Sequence, residues 1–188
     1  QRQDVYKRQT FHQTVLGGNA QYDYARSGNP NRTLLEEKLA RLEGGKYAFA
    51  YASGIAAITA VLLTLKSDDH VILPDDVYGG TFRLTEQILN RFNIKFTTVN
   101  TTNILEIKNA IQSNTKLIYV ETPSNPLFKI TDIRAVARIA KQNNLLLAVD
   151  NTFMTPLGQS PLALGADIVV HSATKFLGGH SCLLYTSP

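Results

Sequence analysis

The sequence predicts an α/β fold, with a mostly parallel sheet covered by helices on both faces. Short apolar runs, such as 71–73, 117–120 and 168–170, alternate with amphipathic segments of helical period. Strands of a parallel sheet are buried on both faces, so they consist almost entirely of apolar residues. The chain has 188 residues, of which 44% are hydrophobic and 18% charged, and this is enough for one domain with a full core.

The first third of the chain predicts an arm, one helix and then a strand and helix. Segment 10–31 is polar and rich in Gly, Asn and Tyr, which is typical of an extended arm. Thr33 and Glu36 fit a capping box for the helix that follows, with Leu35, Leu39 and Leu42 on one face and Gly44–Gly45 at its end. The apolar segment 47–51 predicts a strand, and 55–65 predicts a buried helix.

The remainder alternates strongly between the two element types. Strands are predicted at 71–73, 95–99, 117–120, 145–149 and 168–170, and helices at 81–92, 104–111 and 132–142, with a short helical turn at 162–164. In the helix at 81–92, the candidate core residues are Phe82, Ile88, Leu89 and Phe92.

Both ends of the chain look foreign to the rest. Segment 1–9 has no apolar period, and 182–188 interrupts the pattern directly after Ser181. We therefore expect a non-native leader at 1–9 and a non-native tail at 182–188. The domain proper would be 32–181 and incomplete, with the C-terminal part of the protein missing.

Composition favours a cytosolic protein and argues against a membrane or nucleic-acid partner. Cys182 is the single cysteine, so an internal disulfide is excluded. No apolar run approaches the ~20 residues of a membrane span, and the start does not resemble a signal peptide. The net charge of +4 is spread along the chain, which argues against nucleic acid. Walker A, dinucleotide, nucleophile-elbow and zinc patterns all fail, and we predict no metal site.

Several predicted strands end in residues that bear chemistry. Ser53–Gly54 leads into a helix N-terminus, Tyr78 precedes two glycines, and Glu121, Asp150 and Lys175 follow later strands. Parallel strands place these ends on one edge of the sheet, where such folds bind their ligands. Pyridoxal phosphate needs a lysine amine, a carboxylate for the pyridine nitrogen, a stacking ring and a phosphate site. Each residue also has a plain structural interpretation: a turn glycine for Gly54, a core aromatic for Tyr78, a loop cap for Asp150.

Lys175 is the residue on which this interpretation depends. It lies just past the apolar strand at 168–170, and a buried ammonium loses its proton readily. A neutral amine is the nucleophile that an aldehyde cofactor requires. The alternative is an ordinary surface lysine in a polar turn.

The motifs as a set resemble the cystathionine γ-synthase/β-lyase family of pyridoxal-phosphate enzymes. The stretches that carry the resemblance are YDYARSGNPNRTLLEEKLARLEGG, DVYGGTFR, ETPSNP, VDNTFMTP, PLALGADIVVHSATK and FLGGHS. They span about 14–181. The resemblance implies the large domain of the aspartate aminotransferase-like fold (type I), with the C-terminal small domain missing. It also implies a dimer of dimers in which the arm reaches a neighbouring subunit.

The resemblance also implies a role for individual residues. Lys175 would form the Schiff base and carry protons, Asp150 would pair with the pyridine nitrogen, and Tyr78 would stack on the ring. The other residues implied in cofactor binding are Ser53, Gly54, Ile55, Asn125, Ser172 and Thr174, together with Tyr24 and Arg26 for the phosphate of a neighbouring subunit. Asp23 and Arg83 would lie near the far end of the substrate.

The resemblance leaves the exact reaction open. The run at 22–58 is most similar to β-lyases of Gram-positive bacteria, which implies cleavage of cystathionine to homocysteine, pyruvate and ammonia. A γ-synthase or O-acetylhomoserine-type γ-replacement is the close alternative. Gly80 stands where methionine γ-lyases usually carry Cys, which argues against that activity. From a different class, a non-catalytic phosphate- or nucleotide-binding domain that uses the helix end at Gly54 remains open, and the fragment itself would be inactive or insoluble if it is truncated.

Overall fold

The computed structural model describes residues 10–11 and 22–179, so the expected leader and tail lie outside the described residues. The described residues divide into two compact units, one up to Ala50 and the other from Tyr51 onward. The second unit contains the sheet. No helix in the described part of the chain is long and apolar enough to cross a membrane.

Within the described residues, five strands form one sheet in which every pairing is parallel. The strands are β1 (His70–Pro74), β2 (Lys95–Val99), β3 (Thr115–Glu121), β4 (Leu146–Asp150) and β5 (Ile168–Val170). Their order is β2-β1-β3-β4-β5, so the chain moves outward from β1 to one edge and then to the other. The prediction of a parallel α/β sheet is confirmed.

Helices cover both faces of the sheet. They are α2 (Gly54–Leu62), α3 (Gly79–Gln87), α4 (Ile104–Ala110), α5 (Ile133–Gln142) and the short α6 (Thr155–Gly158), with 3₁₀ turns at Leu89–Phe92 and Leu162–Leu164. Alternate residues of a strand point to opposite faces. In β3, Leu117 and Tyr119 join the core under α2 and α3, and Ile118 and Val120 join the core under α4 and α5.

The first unit contains α1 (Pro30–Glu43), whose start differs from the prediction. Asn29 is the N-cap: its side-chain oxygen accepts the N–H of Arg32 at 2.9 Å, and Pro30 occupies the first turn. The capping box at Thr33 and Glu36 is therefore wrong, because Asn-Pro starts the helix one turn earlier. Glu36 instead accepts the backbone N–H of Ala50 at 2.7 Å. Gly44 ends the helix at φ 71°, as predicted.

Two further element predictions are wrong. Segment 47–51 forms no strand, and Tyr47 and Phe49 are 70% and 69% exposed. Apolar alternation favours a strand, but a strand also needs a partner for its backbone groups. The helix predicted at 81–92 ends at Gln87, and a 3₁₀ turn closes at Asn93 with φ 62°. Of its four candidate core residues only Leu89 is buried, because the break turns Ile88 and Phe92 outward.

Candidate active site

The carboxyl edge of the sheet brings together the residues predicted at the strand ends. The register pairs Glu121 with Asp150 and Asp150 with Val170, so the last residues of β3, β4 and β5 lie side by side. The segments that contain Tyr78 and Lys175 follow β1 and β5 from the same edge. Ligands bind at this edge in open α/β sheets.

Asp150 is a buried carboxylate held by two donors. It is 6% exposed, Oδ1 accepts the N–H of Thr152 at 2.9 Å, and Oδ2 accepts the hydroxyl of Tyr119 at 3.1 Å. Burial first, and then the charges of Asp150 and Glu121, raise the pKa of Tyr119 well above its usual value. Tyr119 therefore keeps its proton and remains a donor to Asp150.

Glu121, at the end of β3, joins two loops. It is 7% exposed, and Oε2 accepts the backbone N–H of Tyr78 at 2.9 Å. Burial raises the pKa of Glu121 to about 7; bonds from the N–H groups of Tyr78 and Asn125 oppose the rise, and the charges of Asp150 and Asp76 add to it. The bond from the N–H of Tyr78 links the end of β3 to the loop that follows β1.

Tyr78 presents its ring at the edge because the next residues are small. It is the N-cap of α3, and its carbonyl accepts the N–H groups of Thr81 and Phe82. A Cβ on Gly80 would lie 2.4 Å from Cε1 of Tyr78, so the ring lies directly against that glycine. The ring is 45% exposed, so it is available to a ligand and is not the core aromatic of the plain interpretation.

Gly54 places the start of α2 against the loop that follows β5. A Cβ at this position would lie 2.7 Å from Cβ, 2.8 Å from Oγ and 3.0 Å from Cα of Ser172. The N-cap Ser53 accepts the N–H of Ala56, so the N–H groups of Gly54 and Ile55 precede the first intrahelical bonds. A helix N-terminus beside a serine hydroxyl is a suitable site for an anion.

Lys175 lies in a turn after β5 and is exposed. Its N–H donates to the carbonyl of Ser172 at 3.0 Å, and the N–H of Ser172 donates to Oγ1 of Thr152 at 2.8 Å. Thr152 also donates to Asp150, so one chain of bonds joins the lysine turn to the carboxylate. The expectation of a buried lysine is wrong, because the structure places Lys175 in an exposed position.

Sequence reasoning missed an aromatic cluster contributed by three loops of this edge. The rings of Phe128 and Phe153 are stacked at 5.6 Å, and those of Phe153 and Phe176 meet edge-to-face at 6.0 Å. Phe128 and Phe176 are 65% and 68% exposed. One ring follows each of β3, β4 and β5, which is a signal that the sequence did contain. The cluster connects the loops of Asn125, Asp150 and Lys175.

The structure places the remaining predicted residues as follows. Asn125 is half-buried in the loop after β3, and Thr174 is exposed in the turn of Lys175. Arg83 is exposed on α3, and its Nη1 would lie 3.3 Å from a Cβ on Gly79. Asp23, Tyr24 and Arg26 belong to the first unit, where the guanidinium of Arg26 lies 4.9 Å from the centroid of the Tyr24 ring.

The second unit has the donors and acceptors that a pyridoxal phosphate site requires. The helix start at Gly54 lies against Ser172 and would receive the phosphate, and no side chain larger than hydrogen fits there. Asp150 is a carboxylate already supplied with donors, which suits a partner for a protonated ring nitrogen. These observations fit the group that the sequence implied.

Fold and edge together define an α/β protein with a candidate anion site at the carboxyl ends of its parallel strands. A comparison with family models identifies the protein family. Residues 1–185 match the family described as Cys/Met metabolism PLP-dependent enzyme. The chain belongs to this family, and the cofactor of the family is pyridoxal 5'-phosphate.

The chain is also similar to individual proteins of known name. The chain is 83% identical over 180 residues to the cystathionine beta-lyase MetC of Staphylococcus haemolyticus, covering 96% of this chain and 46% of the relative. It is 54% identical to a cystathionine gamma-lyase of Bacillus subtilis, covering 94% and 47%. A crystal structure of cystathionine gamma-lyase from Lactobacillus plantarum complexed with L-serine has a TM-score of 0.90 at 49% identity, covering 95% and 47%. The chain spans about half the length of these relatives.

Proposed function

We propose that this chain is the cofactor-binding part of a cystathionine β-lyase, which cleaves cystathionine to homocysteine, pyruvate and ammonia. The observation that carries the proposal is the 83% identity to a protein named cystathionine beta-lyase, combined with Lys175 and Asp150 on one edge of the sheet. Such an enzyme would serve sulfur amino acid metabolism, in methionine biosynthesis.

We assign the following roles to individual residues of the proposed site. Bound pyridoxal phosphate supplies an electron sink that makes the Cα proton of an amino acid acidic. Lys175 supplies the amine that holds the cofactor and accepts that proton at Nζ. Asp150 keeps the ring nitrogen protonated, because a carboxylate beside it stabilises the positive charge. Gly54, Ile55, Ser172 and Thr174 bind the phosphate at the start of α2.

The remaining residues position the cofactor and substrate. Tyr78 stacks on the cofactor ring, Ser53 caps the helix whose first N–H groups bind the phosphate, and Asn125 lies near the phenolic oxygen. We place Tyr24 and Arg26 at the phosphate of a neighbouring subunit, and Asp23 and Arg83 near the far end of the substrate. The role of Tyr24 and Arg26 requires at least a dimer, and we propose a dimer of dimers together with a cytoplasmic location.

γ-Replacement by a cystathionine γ-synthase is the second candidate. The 44% identity to a probable cystathionine gamma-synthase of Herpetosiphon aurantiacus supports membership of the same family more than that reaction. A direct comparison separates the two: the full-length protein is incubated with cystathionine, and separately with cysteine and an activated homoserine. Pyruvate from the first mixture supports the β-lyase, and cystathionine from the second supports the synthase.

The cofactor site is tested by replacing the lysine. In the full-length protein that contains this chain, borohydride reduction should attach the cofactor covalently to Lys175, identified by peptide mass spectrometry. Lys175→Ala should abolish the yellow absorbance and the adduct. Lys116→Ala is the matched control, because Lys116 is an exposed lysine on β3. An adduct that persists in Lys175→Ala would refute the assignment, and nucleotide binding without any adduct would favour the non-catalytic alternative.

A further inference from the structure

The bond between Glu121 and Tyr78 joins two strands that bear parts of the proposed site. Tyr78 follows β1 and Glu121 ends β3, which is the strand next to β1 in the sheet. Tyr78 has no side-chain cap, and its carbonyl is already used by the first turn of α3. Its N–H is held by Oε2 of Glu121 at 2.9 Å. Both backbone polar groups of Tyr78 are therefore hydrogen-bonded, its carbonyl to the first turn of α3 and its N–H to Glu121. Of these partners, Glu121 is titratable.

The strength of this bond depends on the charge of the carboxyl group. A hydrogen bond to a carboxylate is roughly twice as strong as one between neutral groups. Glu121 is buried, and the titratable groups that face it are acids and phenols: Asp76 from the loop after β1, Tyr119 from its own strand and Asp150 from β4. Lys129, in the loop after β3, is paired with Asp75 at 2.9 Å and is not among the charges that act on Glu121.

We propose that Glu121 is a positioning residue that makes the placement of Tyr78 at the cofactor site depend on pH. In its charged form Glu121 holds the N–H of Tyr78 firmly, and the ring stays against Gly80. In its protonated form it holds that N–H weakly, and the turn from Tyr78 into α3 loosens. The inference rests on the proposed function for its consequence at the cofactor, but the bond itself requires no ligand.

The midpoint of the titration of Glu121 lies near physiological pH, because its pKa is about 7. The hydrogen bond from the N–H of Tyr78 to Glu121 should therefore become stronger between pH 6 and pH 8. Asn125 would respond in the same direction, since its N–H also favours the charged form of Glu121.

Amide hydrogen exchange of Tyr78 in the full-length protein tests the proposal without the cofactor. The protection factor, corrected for the intrinsic exchange rate at each pH, should rise about fivefold from pH 6 to pH 8 as the bond becomes charge-assisted. Glu121→Gln, whose amide oxygen still accepts but does not titrate, should give a low and pH-independent value. Glu106→Gln is the matched control, because Glu106 accepts the N–H of Asn100 at 3.0 Å after β2; it should keep the dependence of the parent protein.

A second readout uses the loaded protein. The circular dichroism induced in the cofactor band reports how the ring is packed, and it should follow the same pH change in the parent protein and none in Glu121→Gln. Equal pH dependence of Tyr78 exchange in the parent and in Glu121→Gln would overturn the inference, as would constant protection in the parent. Failure to bind cofactor would instead refute the proposed function and leave the exchange result interpretable.

Discussion

The amino ends and the carboxyl ends of the strands, which form the amino edge and the carboxyl edge of the sheet, differ in their buried polar residues. At the amino edge, His70 is 1% exposed, with Nδ1 at 2.8 Å from the Thr115 hydroxyl and Nε2 at 2.9 Å from the Thr97 hydroxyl. At the carboxyl edge, Glu121 and Asp150 are buried side by side in register. The first arrangement is neutral and saturated by hydroxyl groups. The second concentrates like charges.

This difference indicates that the functional site lies at the carboxyl edge. A neutral histidine between two hydroxyls contributes to stability at neutral pH, because either ring nitrogen can find a partner. Burying Glu121 beside Asp150 costs stability, since burial first and then the charge of Asp150 oppose the charged form of Glu121. Perturbed acids gather at functional sites for this reason. The predictions below change one edge at a time.

The largest expected effect is at Glu121. The pKa of Glu121 is about 7 in the folded protein against an ordinary value of 4.5, so the folded state holds the proton more tightly. Its contribution to stability is therefore complete at low pH and is lost as the pH rises from 4.5 through 7. The loss amounts to about 3 kcal/mol above pH 7. Urea unfolding of Glu121→Gln between pH 5 and pH 8 should lack this decline.

The matched control for that experiment is Glu106→Gln, which should leave the decline in place. If Glu121→Gln and the parent protein lose the same free energy of unfolding between pH 5 and pH 8, the carboxyl edge does not carry the buried acid that the comparison requires.

An intermediate effect is expected at Gly54. The Cβ of Gly54→Ala would meet the Cα of Ser172 as well as its side chain, so backbone must move at the proposed phosphate site. Such overpacking costs about 1–3 kcal/mol of stability. We also expect cofactor affinity, measured by titrating the full-length protein, to fall about tenfold, which corresponds to the loss of about 1.4 kcal/mol of binding energy.

Gly158→Ala provides the control for this steric argument. A Cβ at Gly158 would meet only the terminal methyl of Met154 at 2.8 Å among its close contacts, and that methyl can move away. Stability and cofactor affinity should both remain near those of the parent. Equal losses in the two variants would mean that the contact between α2 and the loop after β5 is not special.

The smallest expected effect is at His70, on the opposite edge. Burial lowers the pKa of His70 below 6.5, so the unfolded state binds the proton more readily than the folded state. The stability that this residue contributes is therefore complete above about pH 6.5 and is lost as the pH falls below that value. His70→Gln should reduce the overall stability and flatten the acid decline, as measured by thermal unfolding at pH 5, 6 and 7. A decline of unchanged slope in the variant would assign it to other groups.

Much of this architecture was predictable from local pattern. The apolar runs became strands close to their predicted bounds, since a strand buried on both faces needs apolar residues at every position. Asp150 and Glu121 were placed at strand ends correctly for the same reason. The prediction of a strand at 47–51 was wrong because a strand also needs a partner strand. The prediction of a capping box at Thr33 was wrong because a competing cap starts the helix earlier. Asn29–Pro30 is such a cap, and it lies four residues before Thr33.

The sequence by itself determined the α/β class, the strand end at Asp150, the position of Lys175 after the last strand, and the glycines of the helix start and the tyrosine turn. Side-chain period and backbone freedom are local properties, so they can be read without knowing the fold. Only the tertiary structure decided that Glu121 holds Tyr78, that Gly54 lies against Ser172 and that three phenylalanines from different loops meet. Those contacts join residues far apart in the chain, and their distances depend on strand order and register, which the pattern of any one segment does not contain.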